Sequence, residues 1–113
     1  MINKKVYNKL IEIARAKKTI TYSELSEECG LFLDFDNIND RNKISSILGE
    51  ISKYEVKKGG PMLSSLVVLK NSHPQKPAFG FYTYADELEV RKKGESDQQL
   101  FWRQLKECYK HWE

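Results

Sequence analysis

Apolar positions along this chain recur at intervals of three and four, and the polar residues between them mark where each run begins and ends. Val6, Leu10, Ile13 and Ala14 alternate with lysines in this way, which predicts an amphipathic helix over residues 4–17 capped by Asn3. Thr21-Tyr22-Ser23-Glu24 is a capping box: the Thr21 hydroxyl can accept from the Glu24 amide while the Glu24 carboxylate reaches back to the Thr21 amide. Ile20 before this cap and Leu25 after it form a hydrophobic staple, so a short second helix runs over about residues 22–29, and Gly30 supplies its left-handed stop. A helix this short must pack on its neighbours to persist. Ile44, Ile47, Leu48, Ile51 and Tyr54 predict a third, longer helix over about residues 40–57, ended by Gly59-Gly60-Pro61. Ser96-Asp97-Gln98-Gln99 repeats the capping pattern and opens a last helix with Phe101, Leu105, Cys108 and Trp112 on one stripe.

Between the third and last helices the period changes. Residues 63–69 end in the aliphatic run Leu66-Val67-Val68-Leu69, and Phe79-Gly80-Phe81-Tyr82-Thr83-Tyr84 is rich in aromatics, so both read as strands. The two prolines of residues 71–77 make the connection a loop, and the whole reads as a β-hairpin with a basic tip. The aromatics of the second strand are expected to pack as core on Phe101, Leu105 and Trp112. Residues 31–39 read as an acidic loop from which Phe32 and Phe35 project. The order helix, short helix, long helix, hairpin, helix is that of an α+β winged-helix domain: a helix-turn-helix, a β-hairpin wing and a C-terminal helix. No repeat, low-complexity tract or linker divides residues 1–113, so a single domain is expected.

Composition adds little until charge is located along the chain. Nineteen basic and 16 acidic residues leave a net charge of +3, which permits an anionic partner without requiring one. The opening residues are basic, with Lys4, Lys5, Lys9, Arg15, Lys17 and Lys18 against Glu12. Residues 24–40 are acidic, and Arg41, Lys43, Lys53, Lys57, Lys58, Lys70 and Lys76 follow. Such sidedness fits a nucleic-acid face opposite an acidic one. Cys29 and Cys108 form no CxxC pair, which points to a reduced, cytoplasmic setting. The mixed N-terminal helix is unlike a signal peptide, and no apolar run approaches the roughly 20 residues that span a bilayer.

Candidate chemistry is sparse. His73, His111, Cys29 and Cys108 match no zinc spacing, and Gly59-Gly60-Pro61 lacks the lysine and hydroxyl residue of a phosphate-binding loop. Glu24, Glu27 and Glu28 lie together but read as a cap and a solvated face. No nucleophile is paired with a base, so the expectation is a non-enzymatic protein without metal or cofactor.

One family resembles this pattern. Ile20-Thr21-Tyr22-Ser23-Glu24-Leu25 resembles the TY-G-x-L-A segment of the O6-alkylguanine-DNA alkyltransferases and their catalytically silent alkyltransferase-like relatives. Ser46-Ile47-Leu48-Gly49 resembles the R-A-V-G segment that opens their recognition helix. Leu63-Ser64-Ser65-Leu66-Val67-Val68 stands where those proteins have P-C-H-R-V-V, Phe79-Gly80-Phe81-Tyr82 resembles their G-x-Y-x-G wing, and Phe101-Trp102 with Leu105 resembles the closing helix. The resemblance covers roughly residues 18–112. It implies a winged-helix scaffold that presents the third helix and Tyr22 to DNA, where the family's tyrosine helps rotate a nucleotide out of the stack. The alkyl-accepting cysteine falls at Ser64, its activating histidine at Ser65 and the intercalating arginine at Ser46. A serine hydroxyl without a base is a poor alkyl acceptor, so alkyl transfer is not expected.

The expected nucleic-acid surface comprises Tyr22, Arg41, Asn42, Lys43, Ser45, Ser46, Lys53, Lys57, Lys70 and Lys76, with the lysines and arginine on phosphates and the small polar residues toward bases. Low sequence specificity is expected of so few base-reading groups. The third helix and the hairpin are expected to form one continuous basic ridge facing solvent. The alternative is a protein-interaction module that docks a basic partner on the acidic aromatic loop, residues 31–40.

Overall fold

The structure, a computed structural model describing residues 1–113, is organised around one turn of 3-10 helix, Leu63–Leu66, whose four residues are all buried. In chain order the elements are α1 (Lys4–Arg15), β1 (Ile20–Thr21), α2 (Tyr22–Glu28), α3 (Ile38–Lys57), the 3-10 turn, β2 (Val67–Val68), α4 (Phe79–Glu87) and α5 (Asp97–His111). Helices α1, α3 and α5 all pack against the central turn, and α4 packs against α3. The class is α+β with little β: β1 and β2 make one short parallel pair in which Ile20 lies opposite Val67 and Thr21 opposite Val68. No helix is long and apolar enough to cross a membrane.

The local signals read from the sequence have their physical counterparts. The Asn3 side chain accepts from the Val6 amide, and both reciprocal bonds of the capping boxes at Thr21/Glu24 and Ser96/Gln99 are present. Gly30 takes φ +69° just past α2, a conformation in which a side chain would be strained. Val6, Leu10 and Ala14 of α1 meet Ile20, Leu25, Ile44, Leu48, Ile51, Leu63, Leu66 and Cys108 in the main core.

The β-hairpin wing is not formed. Residues 79–84 are helical, the first half of the other expected strand is the 3-10 turn, and the partner of β2 is β1, in parallel. Phe81, Tyr84, Ala85 and Leu88 recur at helical spacing, and α4 uses that stripe: Phe81 and Ala85 are buried with Met62, Val68, Leu100 and Phe101 in a second apolar cluster. The Phe81 and Phe101 rings meet edge to face at 6.3 Å, so the expected packing on Phe101 is realised from a helix rather than a strand. Burial of these side chains outweighs the strand preference of Phe, Tyr and Thr, which spans only about 1 kcal/mol. Residues 69–78 form a loop closed at its base by the Leu69 amide donating to the Lys76 carbonyl at 2.9 Å.

Every buried side-chain nitrogen and oxygen in this fold has a hydrogen-bond partner. Gln104, on α5, accepts from the Met62 amide at 2.8 Å, tying α5 to the start of the central turn. Glu55, buried near the end of α3, accepts from the Tyr7 hydroxyl and pairs with Lys58. Between α4 and α5, Arg103 bonds Glu95 and the Val90 carbonyl, and its guanidinium lowers the Glu95 carboxyl to about 2.

Candidate functional site

A cavity of about 250 Å3 lies between the start of α2, the first half of α3, the central turn and α4, and it is the more apolar of two concavities, the other being a wider polar hollow of about 450 Å3 beside Gly60 and Arg103. The apolar cavity is smaller than the roughly 300–1,000 Å3 of drug-sized ligand sites, so it suits one small ring system better than a large cofactor. Its walls are Phe35, Ile44, Leu48, Phe81 and Tyr84, with Ser64 and Ser45 as polar lining and Arg41 and Lys70 both exposed.

Two close approaches give the cavity its shape. The Tyr84 ring lies over Gly49, so close that any Cβ at that position would overlap the ring carbons. Gly80 sits against Ser45, with room for no more than a hydrogen: a Cβ there would be 2.7 Å from the Ser45 hydroxyl oxygen. Together these glycines let α4 lie directly on α3 and close one side of the cavity. On the other side, Tyr22 accepts a hydrogen bond from the Ala78 amide at 2.8 Å, which fixes the chain as it enters α4. Ala78, the N-cap residue of α4, makes no side-chain cap bond of its own. Burial pushes the Tyr22 phenol up to about 12, so at neutral pH the hydroxyl keeps a proton to donate.

Ser64 and Ser65 have different surroundings. The Ser64 hydroxyl lies 2.7 Å from the buried Ser52 hydroxyl, and Ser65 lies 3.4 Å from the Cys108 sulfur. Burial pushes the Cys108 thiol up to about 12, and it donates to the Met62 carbonyl, so it stays protonated and unreactive. Neither serine has a histidine or carboxylate hydrogen-bonded to it.

Of the ten residues expected at a nucleic-acid surface, Tyr22, Arg41, Ser45 and Lys70 line this cavity. Ser45 is half-buried there, because α4 covers that side of α3. Asn42, Ser46, Lys53 and Lys57 are exposed and share one stripe of α3 at spacings of four and seven, with Lys43 and the acid Glu50 alongside. Lys76 is exposed on the loop that replaces the wing. The basic residues do not form one ridge. Arg41 and Lys70 stand at the cavity, whereas Lys53 and Lys57 lie roughly 18 Å or more along α3 from Arg41 at 1.5 Å rise per residue. Phe35 does not project; it is half-buried in the cavity wall, leaving Phe32 and Ile38 as the exposed apolar residues of the acidic loop.

Sequence reasoning missed Phe35, Gly49, Gly80 and Tyr84 as cavity residues. The helical spacing of Phe81, Tyr84, Ala85 and Leu88 was the available signal for α4, and with α4 recognised the two glycines become close-approach positions. No protein-family model, curated protein or solved structure gives a significant match to this chain.

Proposed function

We propose that the chain is a mainly helical domain that binds DNA without altering it, using the cavity between α2, α3 and α4 as a receptacle for an unstacked base. The observation that carries this reading is the pairing of an aromatic-walled cavity of single-ring size with two exposed cations at its lining, Arg41 and Lys70. A base offers a flat ring to Phe35, Phe81 and Tyr84, and its flanking phosphates offer charge to the two cations. The alkyltransferase resemblance supports the same reading, since Tyr22 and Ser64, the residues aligned with the family's tyrosine and cysteine, both line the cavity. The absence of any base beside Ser64 favours binding over transfer. Helix α4 stands in the chain where the family's wing would be, and the exposed stripe Asn42, Ser46, Lys53 and Lys57 supplies further phosphate and groove contacts.

Fluorescence anisotropy with labelled single-stranded and duplex DNA, over a salt series, tests this. Each phosphate contact contributes roughly 0.7 to 0.9 to the slope of log affinity against log salt, so Arg41→Gln/Lys70→Gln should lower the slope by about 1.4 to 1.8. Absence of binding at low salt, or an unchanged slope in that variant, contradicts the proposal. A protein-interaction module is the second reading, favoured by Phe32 and Ile38, which are 78% and 58% exposed beside Asp34, Asp36 and Asp40. Phe32→Ala abolishing partner capture while leaving DNA affinity unchanged would mark that surface as a separate function.

A further inference from the structure

Phe79 is the most exposed phenylalanine of the chain, at 81%, yet its backbone is held on both sides. The residue before it, Ala78, donates its amide to the Tyr22 hydroxyl, and the residue after it, Gly80, is seated on Ser45. Both of these neighbours line the cavity, so Phe79 stands at its edge on the first turn of α4. Solvent-facing aromatics on loose loops can fold away; this one is displayed from a clamped helix start.

We infer that Phe79 is the wedge that enters the base stack and fills the gap left when a base moves into the cavity. This rests on the base-receptacle reading given above. Extruding a base leaves a hole in the duplex, and an apolar side chain inserted between base steps restores stacking while it separates them. The insertion needs a rigid support, because a side chain that yields does not unstack DNA. Tyr22 and the Gly80–Ser45 contact supply that support. Ser46, the position aligned with the intercalating arginine of the alkyltransferases, is too short for the task, and it follows directly on the residue against which Gly80 rests. Phe32 is comparably exposed, and its neighbours Leu31 and Leu33 both donate to Ser26, but neither of them lines the cavity; on that loop only Phe35, three residues further on, does.

The test uses a duplex carrying 2-aminopurine at a mismatch, where unpairing costs least. Wild-type protein should raise the 2-aminopurine fluorescence on binding, reporting loss of stacking. Phe79→Ala should bind with a salt slope unchanged and an affinity within about tenfold of wild type, yet give little rise, and Phe79→Leu should restore part of it. Because the side chain is exposed, the alanine variant is expected to melt at the wild-type temperature. A full fluorescence rise with Phe79→Ala overturns the wedge while leaving the receptacle intact. Wild-type binding with no rise overturns the receptacle and the wedge together.

Discussion

Leu66→Ala should cost about 2–5 kcal/mol of stability, the loss typical of a leucine truncated in a core that cannot collapse around the space. Leu66 is fully buried in the 3-10 turn on which α1, α3 and α5 converge, and it also leads directly into β2. A cavity at that point has three helices around it, each anchored elsewhere, so relaxation is limited. Set against the roughly 5–15 kcal/mol available to a domain, such a loss takes much of the total. Urea unfolding followed by circular dichroism measures it. Phe32→Ala, on the exposed loop, is the control and should change stability by no more than about 0.5 kcal/mol. Equal, small losses for the two variants would remove the central turn from its place as the organising element.

The second large effect runs against helix propensity. Alanine is the better helix former by about 1 kcal/mol, yet Gly49→Ala should destabilise by about 1–3 kcal/mol because the added methyl overlaps the Tyr84 ring. For a domain of this size that corresponds to a fall in melting temperature of roughly 4–8 °C per kcal/mol. The partner substitution identifies the cause. In a Tyr84→Ala background the clash is gone, so Gly49→Ala should become neutral or stabilising, and the non-additivity is itself the signature of contact. If Gly49→Ala instead stabilises the otherwise unaltered protein, α4 does not lie on α3 as described.

Which features were legible in the sequence follows from their range. The caps at Asn3, Thr21 and Ser96 and the stop at Gly30 depend on residues three or four apart, and the chain states them outright. The long apolar stripe of α3 was equally plain. The wing was misread because Phe79-Gly80-Phe81-Tyr82-Thr83-Tyr84 has strand-like composition, while its conformation is decided by burial of Phe81 and Ala85 against Phe101 and Leu100 on α5. The parallel pairing of β1 with β2 joins segments far apart in sequence, and a two-residue strand carries almost no periodic signal of its own. At the site, Tyr22, Arg41, Ser45 and Lys70 were named from the sequence, but as parts of an open ridge. Their gathering around a cavity depends on α4 lying on Gly49 and Ser45, a contact that only the tertiary arrangement discloses.

The cavity also sets what the site can recognise. With Tyr22 protonated at neutral pH and serine hydroxyls at positions 45 and 64, it offers hydrogen-bonding groups that can both donate and accept. On the DNA-binding proposal, such groups would adapt to several base edges, as low sequence specificity requires.

Amide chemical-shift mapping during titration with a short DNA oligonucleotide addresses the central claim most directly. The largest changes are predicted at Tyr22, Arg41, Ser45, Ser64, Lys70, Gly80 and Tyr84, with smaller ones along Asn42, Ser46, Lys53 and Lys57. Shifts confined to the residue 31–40 loop, or spread evenly over the lysines of α1 and α3 with the cavity residues silent, would contradict it.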